Sequence, residues 1–170
     1  GLTRRYHRAM RIATLNCNGI RSAARKGLYD WLPAQDLDLL CLQETRCSDA
    51  DLAPATFQPP GYHAVWLHAQ TKKGYSGVAV YSRRAPDQVI RGFGSSEFDR
   101  EGRCLELRFG KLSIVSLYLP SGSSSPERQA AKFRFLGEFL PYLESLRRRR
   151  RHYVLCGDWN IAHREIDLRN

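Results

Sequence analysis

The segment Leu37-Asp-Leu-Leu-Cys-Leu-Gln-Glu-Thr-Arg46 is apolar but for Asp38 through Leu42 and then turns abruptly polar. A short continuous apolar run of this kind marks a strand buried on both faces, as in sheets covered by helices. Outward from it, Arg11-Ile-Ala-Thr-Leu-Asn-Cys17 reads as a second strand. Between the two, Lys26 to Gln35 places Leu28, Trp31 and Leu32 at helical spacing. The order strand, helix, strand predicts an α/β fold. Runs at 63–68, 77–81, 88–91, 104–109 and 112–119 are rich in β-branched and aromatic residues and separated by Gly, Pro and Ser, which predicts a series of strands.

After Pro120, Ser125 is placed to cap a helix opened by Pro126 and Glu127. Its apolar stripe is expected to be Ala130, Phe133, Leu136, Phe139, Leu140, Leu143 and Leu146, with a kink at Pro141. Five arginines, 147–151, then precede a strand over 152–156. Phosphate contact is one reading of that run. The preferred reading is that these cations complement the helix macrodipole and stay solvated.

The 170 residues allow one ordinary domain, and 42% hydrophobic residues suffice for its core. No apolar stretch approaches the roughly 18 residues that cross a bilayer. Lys+Arg 27 against Asp+Glu 17 leaves a net charge of +10, a positive field that attracts phosphate polyanions. The five cysteines share no C-x-x-C spacing and read as buried free thiols in a reducing compartment. Met10, the only methionine, is expected to be the natural start, with residues 1–9 an upstream extension or cloning scar and 10–170 the domain.

Four apolar runs end in polar groups: Leu15 before Asn16 and Asn18, Leu42 before Gln43 and Glu44, Leu119 before Ser121, and Cys156 before Asp158 and Asn160. Ligands of open α/β sheets bind beyond the carboxyl ends of strands, so these residues are expected to meet in one site. Oxygen donors without a Cys-His set favour a hard cation such as Mg²⁺ over Zn²⁺. Taken singly, Gly157-Asp158 and Asn18-Gly19 are also ordinary turn dipeptides.

Six motifs in order carry a resemblance: Thr14-Leu-Asn-Cys-Asn-Gly-Ile-Arg21, Leu42-Gln-Glu-Thr-Arg46, Lys73-Gly-Tyr-Ser-Gly-Val-Ala79, Glu101-Gly-Arg103, Leu117-Tyr-Leu-Pro120, and Cys156-Gly-Asp-Trp-Asn-Ile-Ala-His163 followed by Glu165-Ile-Asp-Leu168. From Met10 to Asn170 the chain resembles the exonuclease III family of apurinic/apyrimidinic endonucleases. The resemblance implies the endonuclease/exonuclease/phosphatase fold, a four-layer α/β sandwich with two central sheets, its C-terminal part missing here. It also implies Mg²⁺-dependent hydrolysis of DNA phosphodiester bonds in base excision repair, incising 5′ to abasic sites and trimming 3′ ends, with Mn²⁺ able to substitute. The implied partner is double-stranded DNA with abasic sites or blocked 3′ ends. The implied setting is a bacterial cytoplasm, near the nucleoid.

The resemblance implies residue roles as well. Glu44 would be the principal metal ligand and Asn18 a neutral second ligand. Asp158 would orient or deprotonate the attacking water, with Asn160 and Asn16 as its hydrogen-bonding partners. Tyr118 would touch the scissile phosphate, while Arg46, Lys73, Arg103 and Ser121 would contact backbone phosphates. His163 reads as a loop residue. Relatives continue past this point with another Asp, a Trp-bearing loop and an Asp-His pair, so the missing part or a partner chain is expected to cover an exposed sheet. The alternative is an inactive fragment or paralogue that binds DNA or another protein. Abasic-site incision is not separated from 3′-exonuclease or 3′-phosphatase work. Lipid and sphingomyelin phosphatases of the same sandwich are disfavoured by the motifs and the charge.

Overall fold

The computed structural model describes residues 9–122 and 125–160. The expected strand, helix, strand opening is present as β1 (Ile12–Asn16), two short helices α1 (Ile20–Arg25) and α2 (Leu28–Trp31), and β2 (Leu39–Gln43). The single helix expected over 26–35 is in fact split, because Gly27 takes a left-handed conformation at the start of α2 and a 3₁₀ turn, Leu32–Gln35, closes it. Leu28 and Leu32 are buried as expected. Trp31 is instead 45% exposed, and Ile20 and Ala23 of α1 take over the packing.

The strands that follow are β3 (His63–Leu67), β4 (Val78–Ser82), β5 (Gln88–Arg91), β6 (Cys104–Phe109) and β7 (Leu112–Tyr118). The long helix α3 (Pro126–Leu146) then leads to β8 (His152–Asp158). They form two four-stranded sheets, ordered β1-β2-β4-β3 and β5-β6-β7-β8. Each sheet is mostly antiparallel with one parallel pair, β1 with β2 and β7 with β8. Those two pairs run toward the same end of the sandwich.

Side-chain alternation sets the layers. Along β2, Leu39 and Cys41 face the second sheet, where, together with Val78 and Val80 of the neighbouring β4, they meet Leu105, Leu107 and Ile114. Leu40 and Leu42 face outward onto Ile20, Leu28 and Leu32. Alternate residues of one fully buried strand thus serve two cores, which is why no polar residue interrupts the run. On the far side Val115, Leu117 and Leu119 pack under Phe135 and Phe139 of α3. Helices outside two stacked sheets give the four-layer α/β sandwich.

In α3 the Ser125 hydroxyl accepts the Arg128 N–H at 3.2 Å, with Pro126 in the first turn, as the sequence predicts. The predicted stripe is corrected. Phe139 and Leu146 of that set are buried as expected, but Phe133 and Leu140 are 64% and 57% exposed, and Phe135, outside the set, is buried instead. Positions 135, 139, 142 and 146 are as helical in period as the expected set, and Phe93 and Phe98 supply rings that only this face meets. Pro141 does not end the helix, which continues to Leu146.

Candidate active site

The polar ends of β1, β2, β7 and β8 converge. β7 and β8 pair in parallel with Tyr118 opposite Asp158, and Asn16 closes β1 opposite Gln43. The sheets are pinned together just below this end: the Gln43 amide donates to the Ser116 hydroxyl at 3.1 Å, which donates to the Leu42 carbonyl at 3.0 Å. Close approach requires Gly157, where a Cβ would lie 2.1 Å from the Leu117 carbonyl oxygen. A side chain there would push β8 off β7 and carry Asp158 away.

Both oxygens of Asp158 are held. Oδ2 accepts the Asn16 side-chain amide at 2.7 Å, and Oδ1 accepts the Asn160 backbone N–H at 2.9 Å. Asn160 is fixed in turn by its amide, which donates to the Leu119 carbonyl at 2.7 Å, and by Lys132, whose ammonium donates to its carbonyl. Asn16 Oδ1 accepts the Asn18 backbone N–H at 3.0 Å. The Asn16–Asp158 bond therefore joins the two sheets across the mouth of the site.

Glu44 forms the other half. Its Oε1 accepts the Tyr118 phenol at 2.5 Å and the Arg46 guanidinium at 3.2 Å. Burial, then the bond to Glu44, pushes the Tyr118 phenol above its ordinary pKa, so it stays protonated at neutral pH and acts as a donor. Six non-glycine residues among those described have positive φ, and four of them are Asn18, Glu44, Arg46 and Asn160. Such conformations are uncommon outside glycine and gather where a side chain must be aimed. Gly77 supports the same loop: it has φ 91°, and a Cβ there would lie 2.3 Å from Thr45 Oγ1.

Arg103 does not sit where the sequence places it. It is 3% exposed, so it is not an open phosphate contact. Its Nε donates to Glu101 at 2.6 Å and its other nitrogens to the Tyr75 hydroxyl at 2.7 Å and the Tyr118 carbonyl at 3.3 Å. Its guanidinium also lies over the Tyr75 and Tyr118 rings, 5.5 and 5.1 Å from their centres. These contacts make it a positioning residue for Tyr118. Tyr75 and Glu101 enter the site this way, and both stand inside the quoted Lys73-Gly-Tyr and Glu101-Gly-Arg motifs.

Ser121 lies on the rim, in a small cleft of about 60 Å³ with Tyr75, Arg103 and Tyr118. Lys73 is exposed in the loop before β4 and acts electrostatically on Asp51. The structure thus brings Asn16, Asn18, Glu44, Arg46, Tyr118, Asp158 and Asn160 together, with Arg103 behind them, Ser121 at the edge and Lys73 apart. His163 and residues 165–168 lie outside the described residues.

The group offers oxygen donors only. Among the described residues no set of three His, Cys, Asp or Glu side chains is placed to hold a metal. One or two carboxylates suit Mg²⁺, which keeps waters and substrate oxygens as its other ligands. The arrangement fits that cation, with Glu44 as the carboxylate and both recorded side-chain contacts confined to its Oε1.

The chain matches the Endonuclease/Exonuclease/phosphatase family over residues 13–170. It is 39% identical over 162 residues to an exodeoxyribonuclease of Bacillus subtilis, covering 95% of this chain and 62% of that protein. It is equally 39% identical over 162 residues to the DNA repair nuclease APEX1 of Danio rerio, covering 95% of this chain and 52% of that one. Among solved structures, an AP endonuclease from Archaeoglobus fulgidus superposes with a TM-score of 0.79 at 31% identity, over 95% of this chain and 62% of that chain. A 3′-5′ exonuclease from Neisseria meningitidis gives 0.77 at 26%, over 90% and 59%. The chain therefore spans about half to three fifths of the length of these relatives. With the family matched across nearly its whole length and the polar strand ends gathered into one site, this chain belongs to the Endonuclease/Exonuclease/phosphatase family.

Proposed function

We propose that the protein this chain belongs to is a Mg²⁺-dependent DNA phosphodiesterase of base excision repair, which incises 5′ to abasic sites and trims 3′ ends. The observation that carries this reading is the Asp158 carboxylate, oriented on both oxygens by Asn16 and Asn160 and set on the strand beside Tyr118, whose phenol bonds Glu44. A carboxylate so fixed can hold a water in line with a phosphodiester and accept its proton as oxygen attacks phosphorus. Tyr118 would donate to a non-bridging phosphate oxygen, and Arg46 and Asn18 line the same mouth. Mg²⁺, with Mn²⁺ as a substitute, would bind at Glu44 beside Asn18 and supply Lewis-acid polarisation of the phosphoryl group. Arg46, Lys73 and Ser121 are proposed contacts to the DNA backbone. Five unpaired cysteines, four of them buried, are compatible with a reducing cytoplasm.

Further chain or a partner is proposed to cover one flank. β1 and β8 are the edges of their sheets on the side of the site, and Leu15 and Val154 on them are 37% and 36% exposed. A cleft of about 670 Å³ runs along β1 between Thr14, Leu15, Asn16 and Trp31. Open strands of this kind are places for added strands.

The test is Asp158→Asn in the full-length protein, assayed on a duplex with one tetrahydrofuran abasic analogue. Turnover is expected to fall by roughly 10² to 10⁴ with DNA affinity nearly unchanged, because the lost function is exercised in the transition state. Parallel loss of binding and rate makes Asp158 structural and removes the reading.

A further inference from the structure

The five arginines between α3 and β8 have more charge than the helix end can use. The terminal carbonyls of Glu144, Ser145 and Leu146 already accept the backbone N–H groups of Arg147, Arg148 and Arg149. A cation near a helix C-terminus interacts with the macrodipole only weakly, and the effect fades within one turn. Macrodipole compensation therefore does not account for the run.

The odd-numbered arginines are tied to the protein. Arg147 pairs with Glu144 at 3.4 Å. Arg149 donates to the Tyr153 hydroxyl at 3.4 Å and lies over the Tyr142 ring. Arg151 donates to the Ser113 hydroxyl at 3.0 Å and to the Leu112 carbonyl at 3.3 Å. Arg148 and Arg150 stand exposed between these anchors, with no carboxylate partner recorded among the described residues. Lys111, also exposed, is brought beside the turn by the bond from the His152 N–H to its carbonyl at 2.9 Å. Six cations thus share one end of the sheet, and among the described residues Glu144 is the only carboxylate in ion-pair range of them. Such a cluster repels itself and lowers its energy when a polyanion approaches.

This cluster lies away from the site described above. The turn feeds the start of β8, while Asp158 ends it, so a strand length of roughly 20 Å separates them. A duplex lying across the carboxyl ends of the strands leaves the turn uncovered.

We propose that Arg147–Arg151, with Lys111, form a second, sequence-independent contact for the phosphodiester backbone of duplex DNA, at the end of the sandwich opposite the cleft. The choice of DNA as polyanion rests on the function proposed above; the cationic surface does not. A chain holding both contacts joins two DNA segments.

The experiment is fluorescence anisotropy of the chain with an undamaged duplex over a series of salt concentrations, comparing the unaltered chain, R148Q/R150Q and R148K/R150K. Each neutralised phosphate adds about 0.9 to the slope of log affinity against log salt, so R148Q/R150Q should lose roughly 1.8 and bind more weakly. R148K/R150K keeps both charges and should keep the slope, which separates charge from misfolding. An unchanged slope in R148Q/R150Q overturns the proposal. Vesicles of phosphatidylglycerol form a second arm, and capture that needs Arg148 and Arg150 while the DNA slope does not overturns the choice of partner. The preference of the full-length protein for a hairpin with a tetrahydrofuran site over an intact hairpin reads the candidate active site alone. Loss of that preference with the slope change retained rejects the cleft function and leaves the second contact standing.

Discussion

Replacing Arg103 by methionine separates the two roles that this residue could have. As an open phosphate contact it would contribute nothing to folding, and its loss would weaken DNA binding alone. In the structure it is buried, ion-paired to Glu101 at 2.6 Å and bonded to Tyr75 and the Tyr118 carbonyl. Methionine fills part of the volume but leaves those acceptors and the carboxylate without their donor. Breaking a buried pair from one side costs about 3 to 5 kcal/mol. The Glu101 side chain keeps 21% of its exposure and recovers some hydration, so the lower end, about 3 kcal/mol, applies. At about 2 to 4 °C per kcal/mol for a chain of this size, the melting temperature should fall by roughly 6 to 12 °C. A thermal melt followed by circular dichroism reads this directly. An unchanged melting temperature accompanied by weaker DNA binding would refute the positioning role and restore the phosphate contact.

Three further outcomes are expected. Glu44→Gln should clearly weaken Mg²⁺ or Mn²⁺ binding by the full-length protein in calorimetry, and equal affinity would take Glu44 out of the metal site. The Asp51 carboxylate is held below its ordinary pKa by the Ser48 N–H, then by the Ser48 hydroxyl, with a smaller share from Arg21. A group whose pKa is depressed by folding adds stability above its unfolded pKa and loses it as pH falls through the folded value, so Asp51→Asn should lower the melting temperature near neutral pH and the difference should vanish once acid has protonated the folded carboxyl; a pH-independent difference contradicts this. Among the cysteines, burial pushes the Cys17 thiol up to about 12 and Cys47 up to about 11, whereas a hydrogen bond from Cys41 holds half-buried Cys156 below the ordinary value. Iodoacetamide followed by peptide mass mapping should therefore mark Cys156 first, and earlier labelling of Cys17 or Cys47 would count against it.

Much of the molecule is legible before any coordinates. The run from Leu39 to Leu42, after Asp38, demands burial on both faces because it has no polar residue to offer solvent, and that alone implies layers on either side. The polar breaks after Leu15, Leu42, Leu119 and Cys156 mark where strands leave the core, so Asn16, Asn18, Glu44, Ser121, Asp158 and Asn160 can be named from them, while Arg46 and Tyr118 follow from the family resemblance. The path of the long helix is less legible. Phe133 and Phe135, or Phe139 and Leu140, satisfy a 3.6-residue period almost equally, and only the position of Phe93 and Phe98 decides between them.

Residue chemistry and order along the chain thus determined the fold class, the strand ends and the set of oxygen donors. Tertiary structure alone decided that Arg103 is buried behind Tyr118 and that the arginine turn stands at the far end of β8. The reason is physical. Hydrophobic period and turn chemistry act between neighbours in sequence and are written there, whereas a guanidinium is drawn inward only when partners from distant segments satisfy its donors, here Tyr75, Glu101 and Tyr118 meeting at one point in space.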